Sequence, residues 1–177
     1  MANIPRPVHE VPEAEGFDEK EVYAFYGLAA YSAQVLEKGL VNLVAGLHTD
    51  GLSITRGEFD TLFAGFDAST FGQLVRTART KVPISPDTEI LLAEALRERN
   101  RLVHHFFADH ATAFMTEQGR MKMIAELRRL VTLFQRVDHQ VEEMWAPIAA
   151  RRGLTDERVR QIEAKMVREF LDPEGTK

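Results

Sequence analysis

The stretch FDEKEVYAFYGLAAYSAQVLEKGLVNLVAGL, residues 17–47, decides the fold. Asp18 and Glu21 stand at capping-box spacing, and Phe17 and Val22 at the spacing of a hydrophobic staple, so a helix starts here. Val22, Tyr26, Ala29, Ala33, Leu36, Leu40, Leu43 and Leu47 then recur in alternating steps of four and three. That rhythm lays one apolar packing seam along a helix of about 30 residues. The helix ends near His48-Thr49-Asp50-Gly51.

Upstream, residues 1–16 carry three prolines and several acids without periodicity, and a mobile arm is expected there. Downstream, Thr55 and Glu58 are placed to cap a short helix through Phe66, and a second short helix follows Ser69 or Thr70 to about Arg79. Val82-Pro83-Ile84-Ser85-Pro86 stops the chain and opens the next helix, with Ser85 as N-cap and Pro86 at the first helical position. That helix is expected over 86–115. Gly119 separates it from another over 120–149, whose stripe is Ile124, Leu127, Val131, Phe134, Asp138, Val141, Trp145 and Ile148. Pro147 should kink or end it. Gly153 sets off a last helix, capped by Thr155 and edged by Val159, Ile162, Met166 and Phe170. Alternating β-type runs and hairpin signals are absent. The reading is an all-α antiparallel helical bundle of five to six helices, with one domain over 17–171 and a short tail over 172–177. The helices at 18–48, 86–115 and 120–149 should form its core.

Composition narrows the function classes. No apolar run approaches the length of a membrane span, and the first residues have no apolar signal region, so a cytoplasmic protein is expected. With no cysteine, disulfides, thiolate nucleophiles and Cys-type zinc sites are excluded. The net charge of -5 argues against broad nonspecific nucleic-acid binding. The charge is uneven: residues 71–129 hold 10 Lys/Arg against 7 Asp/Glu, and they alone form a net-basic region.

That region contains Arg99-Asn100-Arg101-Leu102-Val103-His104-His105-Phe106-Phe107. Projected as one helix, Leu91, Leu92, Ala95, Leu96, Leu102, Val103, Phe106, Phe107 and Phe114 share an apolar arc, with Arg99 near its centre. His110 falls close to the same line. A guanidinium keeps its charge, and burying one costs several kcal/mol unless it is paired, hydrated or facing a partner. Asp138 interrupts the stripe of the following long helix in the same way. Two readings follow. Arg99 or His110 pairs with Asp138 on the facing helix, or Arg99 faces a wet cleft. Asn100 and His104, four apart, are neighbours on a helix, so the amide can orient the imidazole. Arg99 and His104, five apart, lie about 140° around an unbroken helix. They share a site only if Arg99 reaches round or the helix is distorted.

Arg99-Asn100-x-x-x-His104 resembles the signature of the HEPN superfamily. These are small α-helical domains whose ribonuclease members carry an arginine, a polar residue, then a histidine four to six positions after the arginine. The order of elements over residues 18–150 resembles that family too. The resemblance implies metal-independent RNA cleavage, of the toxin or phage-defence type. Arg99 then contacts the phosphate, His104 does acid–base work, and Asn100 orients it. It implies a homodimer across the motif helices, which supplies two arginines and two histidines to one cleft, and an antitoxin or other protein partner. His105 also lies within the family spacing, and Arg101, His110 and Asp138 are further candidates. Some HEPN proteins paired with a nucleotidyltransferase carry a tyrosine two residues after the histidine. Phe106 stands there in this chain, which disfavours a target role in that kind of pair. The competing function is a catalytically inactive helical homodimer that binds a protein or a nucleic acid.

Other residues read as structural. His105, Asp109 and His110 fall short of a metal site because the two imidazoles point to different faces and no third ligand completes the set, so neither metal nor cofactor is expected. Tyr23, Tyr26 and Tyr31 read as core and seam residues and Trp145 as core. Arg151-Arg152 reads as a charge pair at a helix C-terminus.

Overall fold

The computed structural model describes residues 10–172, and among them the chain is all-helical. The elements are α1 (Glu19–Thr49), α2 (Arg56–Asp67), α3 (Phe71–Lys81), α4 (Pro86–His104), α5 (Phe106–Asp109), α6 (Ala111–Phe114), α7 (Glu117–Arg151) and α8 (Asp156–Leu171). Six of these eight segments match the helices read from sequence. α5 and α6 are single turns cut from what was expected to be one helix over 86–115.

The caps explain the boundaries. Asp18 accepts a hydrogen bond from the Glu21 amide at 2.9 Å. The Glu21 carboxylate reaches back further than a capping box requires and takes the Glu15 amide instead. Thr55 with Glu58, and Thr70 with Gln73, form reciprocal capping boxes at the starts of α2 and α3. Ser85 caps α4 with Pro86 in its first turn, and Thr155 caps α8. Pro147 lies inside α7 without ending it.

α1 and α7 form the centre of the molecule. They run parallel: Arg120 near the start of α7 donates to the Phe17 carbonyl before α1, and Arg151 at the end of α7 pairs with Asp50 after α1. Two glycines one heptad apart let the axes approach. A Cβ on Gly39 would lie 2.8 Å from the Asp138 carboxylate, and one on Gly46 would run into the Trp145 ring. α4 lies antiparallel to both, since Glu37 of α1 meets Arg99 while Tyr26 meets Leu102. The three long helices are therefore arranged up, down, up. The seam from Val22 to Leu43 is buried against Ile124, Leu127, Val131, Phe134 and Val141 of α7 and Leu92, Ala95 and Leu102 of α4.

Several expectations need correction. Tyr23 and Tyr31 point outward, 54% and 64% exposed, and only Tyr26 packs on the core. Trp145 is half-buried over Gly46. On α8, the apolar edge is open to solvent, with Phe170 84% exposed. Of the arm expected over 1–16, residues 1–9 lie outside the described residues. In the remainder, Val11 and Ala14 pack on the core and Glu13 pairs with Arg128. Of the tail, 173–177 lie outside the described residues. No helix among the described residues is long and apolar enough to cross a membrane.

Candidate functional site

The site forms where α4 stops. Its last helical residue is His104, and His105 leaves the helical region with φ -131° and ψ -20°. The stretch from His104 to Phe114 contains neither Gly nor Pro, so tertiary packing imposes the break. Phe106 turns into the core, 1% exposed, and stacks against Tyr26 at 5.8 Å. Gly119 receives the returning chain: a Cβ there would collide with the Ala113 carbonyl. Redirecting Phe106 inward leaves His104 and His105 exposed at the end of α4, their ring centroids 6.2 Å apart.

Arg99, Asn100 and His104 line one open groove of about 680 Å³. Its other walls are Glu37 and Leu96 and the α2–α3 junction from Ala68 to Gly72. The five-residue separation of Arg99 from His104 is thus bridged by a groove at the C-terminal end of α4. Asn100 and His104 lie on the outer stripe of α4, which continues through Ile90, Ala93 and Arg97, all exposed.

Arg99 does not pair with Asp138. Its Nη2 lies 3.3 Å from Glu37 Oε2, and its Nη1 donates to Asn100 Oδ1 at 3.2 Å. The reason is helical geometry. Glu37 and Gly39 are about 200° apart around α1. Glu37 therefore faces α4 while Gly39 faces Asp138 on α7, and α1 stands between the guanidinium and that carboxylate. Both partners are partly wet, with side chains 28% and 23% exposed. Asn100 thus grips Arg99 through its carbonyl oxygen, which leaves its amide nitrogen to donate elsewhere. Glu37 was not read from the sequence. Its only signal there is an acid directly beside Leu36 of the seam.

Arg101 and His110 belong to a separate network that clamps α4 to α7. Arg101 donates to Glu98 at 3.1 Å and to Glu126. Burial alone would lower the Arg101 pKa, but its hydrogen bonds and charge pairing with Glu126 and Glu98 outweigh that and raise it. His110 Nε2 lies 2.9 Å from Glu126 Oε2, off the line of a straight hydrogen bond. Asp138 sits 12 residues further along α7, about 18 Å away along the axis, so His110 pairs with Glu126 instead. Arg129 adds contacts to Glu94 and Glu98. Among the sequence candidates, the structure therefore gathers Arg99, Asn100 and His104 at one groove, with His105 beside it. Arg101, His110 and Asp138 lie in the packing between helices.

Comparison with protein-family models, with curated proteins and with solved structures finds no match.

Proposed function

We propose that this groove is the active site of a HEPN-like, metal-independent endoribonuclease of the toxin or phage-defence type, acting on cytoplasmic RNA. One observation carries the reading: Arg99, Asn100 and His104 open onto the same groove. His104 takes the proton from a ribose 2′-hydroxyl, and the oxygen attacks phosphorus. The bond to the 5′-oxygen breaks, and that oxygen receives a proton from a second imidazole, either His105 or His104 of a second copy. The products are a 2′,3′-cyclic phosphate and a 5′-hydroxyl. The Arg99 fork contacts the phosphate oxygens as charge develops on them. Glu37 and Asn100 keep that fork aimed into the groove.

The reading includes a two-fold homodimer across α4. Ile90 and Ala93 are exposed on the stripe that leads to Asn100 and His104, and a crossing of two α4 helices along that stripe would cover them and bring both sites together. An antitoxin that masks this face is part of the same proposal.

A second reading is a silent dimer that binds a partner. The Glu37–Arg99 contact favours it, because the guanidinium already has a carboxylate partner. Incubating total RNA with excess chelator, wild type beside His104→Ala and Arg99→Ala, separates the two. The nuclease reading expects cleavage that survives chelation, leaves cyclic phosphate ends and falls about 10²–10⁴-fold without His104. Cleavage that needs a divalent metal, or that cuts DNA equally well, refutes the mechanism. No cleavage of any RNA leaves the silent dimer as the better account.

A further inference from the structure

One face of α1 links the groove to a second feature. Glu37, Ala33, Ala30, Tyr26 and Tyr23 fall on one stripe of that helix at steps of three and four. Glu37 meets Arg99 at one end. In the middle, the Tyr26 hydroxyl donates to the Leu102 carbonyl at 3.4 Å. At the other end, Tyr23 lies 5.8 Å from Phe107 and 5.6 Å from Phe114, and Tyr26 lies 4.9 Å from Phe107. The stripe runs antiparallel to α4, so the motif and this aromatic cluster occupy successive positions along one seam. From Glu37 to Tyr23 it spans about 21 Å, and its middle is closed against α4, with Ala33 4% exposed.

The aromatic cluster is open. Tyr23 is 54% exposed and Phe107 36% exposed, although Phe107 stands only three residues beyond His104. The break at His105 sends Phe106 inward and leaves Phe107 at the surface, next to the imidazole pair. Open aromatic rings beside groups suited to phosphate and proton transfer fit a nucleobase, because every base has a π-face that stacks without regard to sequence. Duplex RNA keeps its bases stacked on one another, whereas single strands can splay them onto a protein ring.

From this placement we infer that Tyr23 and Phe107 form a stacking platform for a base near the cleaved phosphate, so that the preferred ligand is single-stranded RNA. The inference rests on the nuclease reading for its choice of ligand and adds a residue pair that positions the strand.

The test uses the full chain and a 2′-O-methyl oligoribonucleotide, which cannot be cut, carrying one 2-aminopurine. Stacking quenches this base. Wild type should quench it in a saturable way, and the same oligonucleotide in a duplex should not be quenched. Tyr23→Leu and Phe107→Leu should each weaken binding about tenfold, whereas Tyr23→Trp should retain it. Tyr23 is largely outside the core, so its leucine variant should keep the wild-type circular dichroism spectrum. Unchanged binding in both leucine variants overturns the platform, as does absence of quenching by wild type, whatever the cleavage assay shows. If the leucine variants lose self-association by light scattering but quench normally, the surface is a contact between copies and the inference is wrong. Quenching without His104-dependent cleavage upholds the platform and removes the nuclease reading. His104-dependent cleavage without quenching does the opposite.

Discussion

Replacing Arg101 by leucine should destabilise the protein far more than its place beside the motif suggests. Its guanidinium joins Glu98 of α4 to Glu126 of α7, and the Glu98 side chain is only 12% exposed. An exposed ion pair contributes about 0–1 kcal/mol. Stripping one partner from a buried pair costs about 3–5 kcal/mol, because the remaining charge is left unsolvated. Here Glu98 is nearly buried while Arg101 and Glu126 keep 29% and 24% of their side-chain surface. Arg129 stays within 3.4 Å of Glu98 as a residual partner. The loss should therefore fall between these limits, at about 2–3 kcal/mol. For a chain of this size that lowers Tm by about 4–12 °C. Urea unfolding followed at 222 nm gives the first number and a thermal scan the second. A control separates charge from packing: adding Glu98→Leu and Glu126→Leu to Arg101→Leu should recover much of the loss, as apolar replacement of whole buried networks often does. A loss under about 0.5 kcal/mol for Arg101→Leu, the level of an ordinary surface pair, would falsify the clamp and return Arg101 to the list of catalytic candidates.

Three further outcomes are expected. Arg99→Ala removes a single partly wet pair, so it should cost only about 1 kcal/mol, and any loss of cleavage it causes cannot then be laid to unfolding; a larger drop in urea midpoint contradicts this. Gly46→Ala forces the Trp145 ring off α1 and should cost about 1–3 kcal/mol, with the emission of the only tryptophan shifting toward that of a solvated indole; an unchanged spectrum shows that the close approach is absent. The Asp50 carboxyl is held below its ordinary value chiefly by the Arg151 hydrogen bond, and Glu58 by the Thr55 amide. A lowered folded-state pKa stabilises above the unfolded value near 4, and that stabilisation is lost as pH falls through the folded value. Asp50→Asn with Glu58→Gln should therefore flatten the fall in urea midpoint between pH 5 and 3, and parallel profiles for variant and wild type would refute both contacts.

Helix positions were legible because their signals are local. Asp18, Thr55, Ser85 and Thr155 act at the starts of their helices through side chains only a few residues from the amides they satisfy. The three apolar stripes likewise repeat within one segment. The break at His105 was not legible, because neither Gly nor Pro announces it and the burial of Phe106 against α1 imposes it. The same holds for the partner of Arg99. A charged residue on an apolar arc shows that a partner is needed, yet which carboxylate supplies it depends on how α1 is rotated between α4 and α7. Asp138 carried the stronger sequence signal, since it interrupts a stripe. Glu37 sits at a stripe's edge, where acids are ordinary, and only the packing of α4 against α1 gives it a role.

The parallel pairing of α1 with α7 bears on how the chain is made. Gly39 and Gly46 find their partners, Asp138 and Trp145, about 100 residues later in the sequence. At ordinary translation rates that interval lasts about 5–20 s. Throughout it the seam from Val22 to Leu47 has left the ribosome without the surface that covers it. α2, α3 and α4, which precede α7 in the chain and pack on α1, can shelter part of that seam. The remainder stays open until α7 emerges, so the nascent chain presents an apolar strip of α1 to chaperones over that interval.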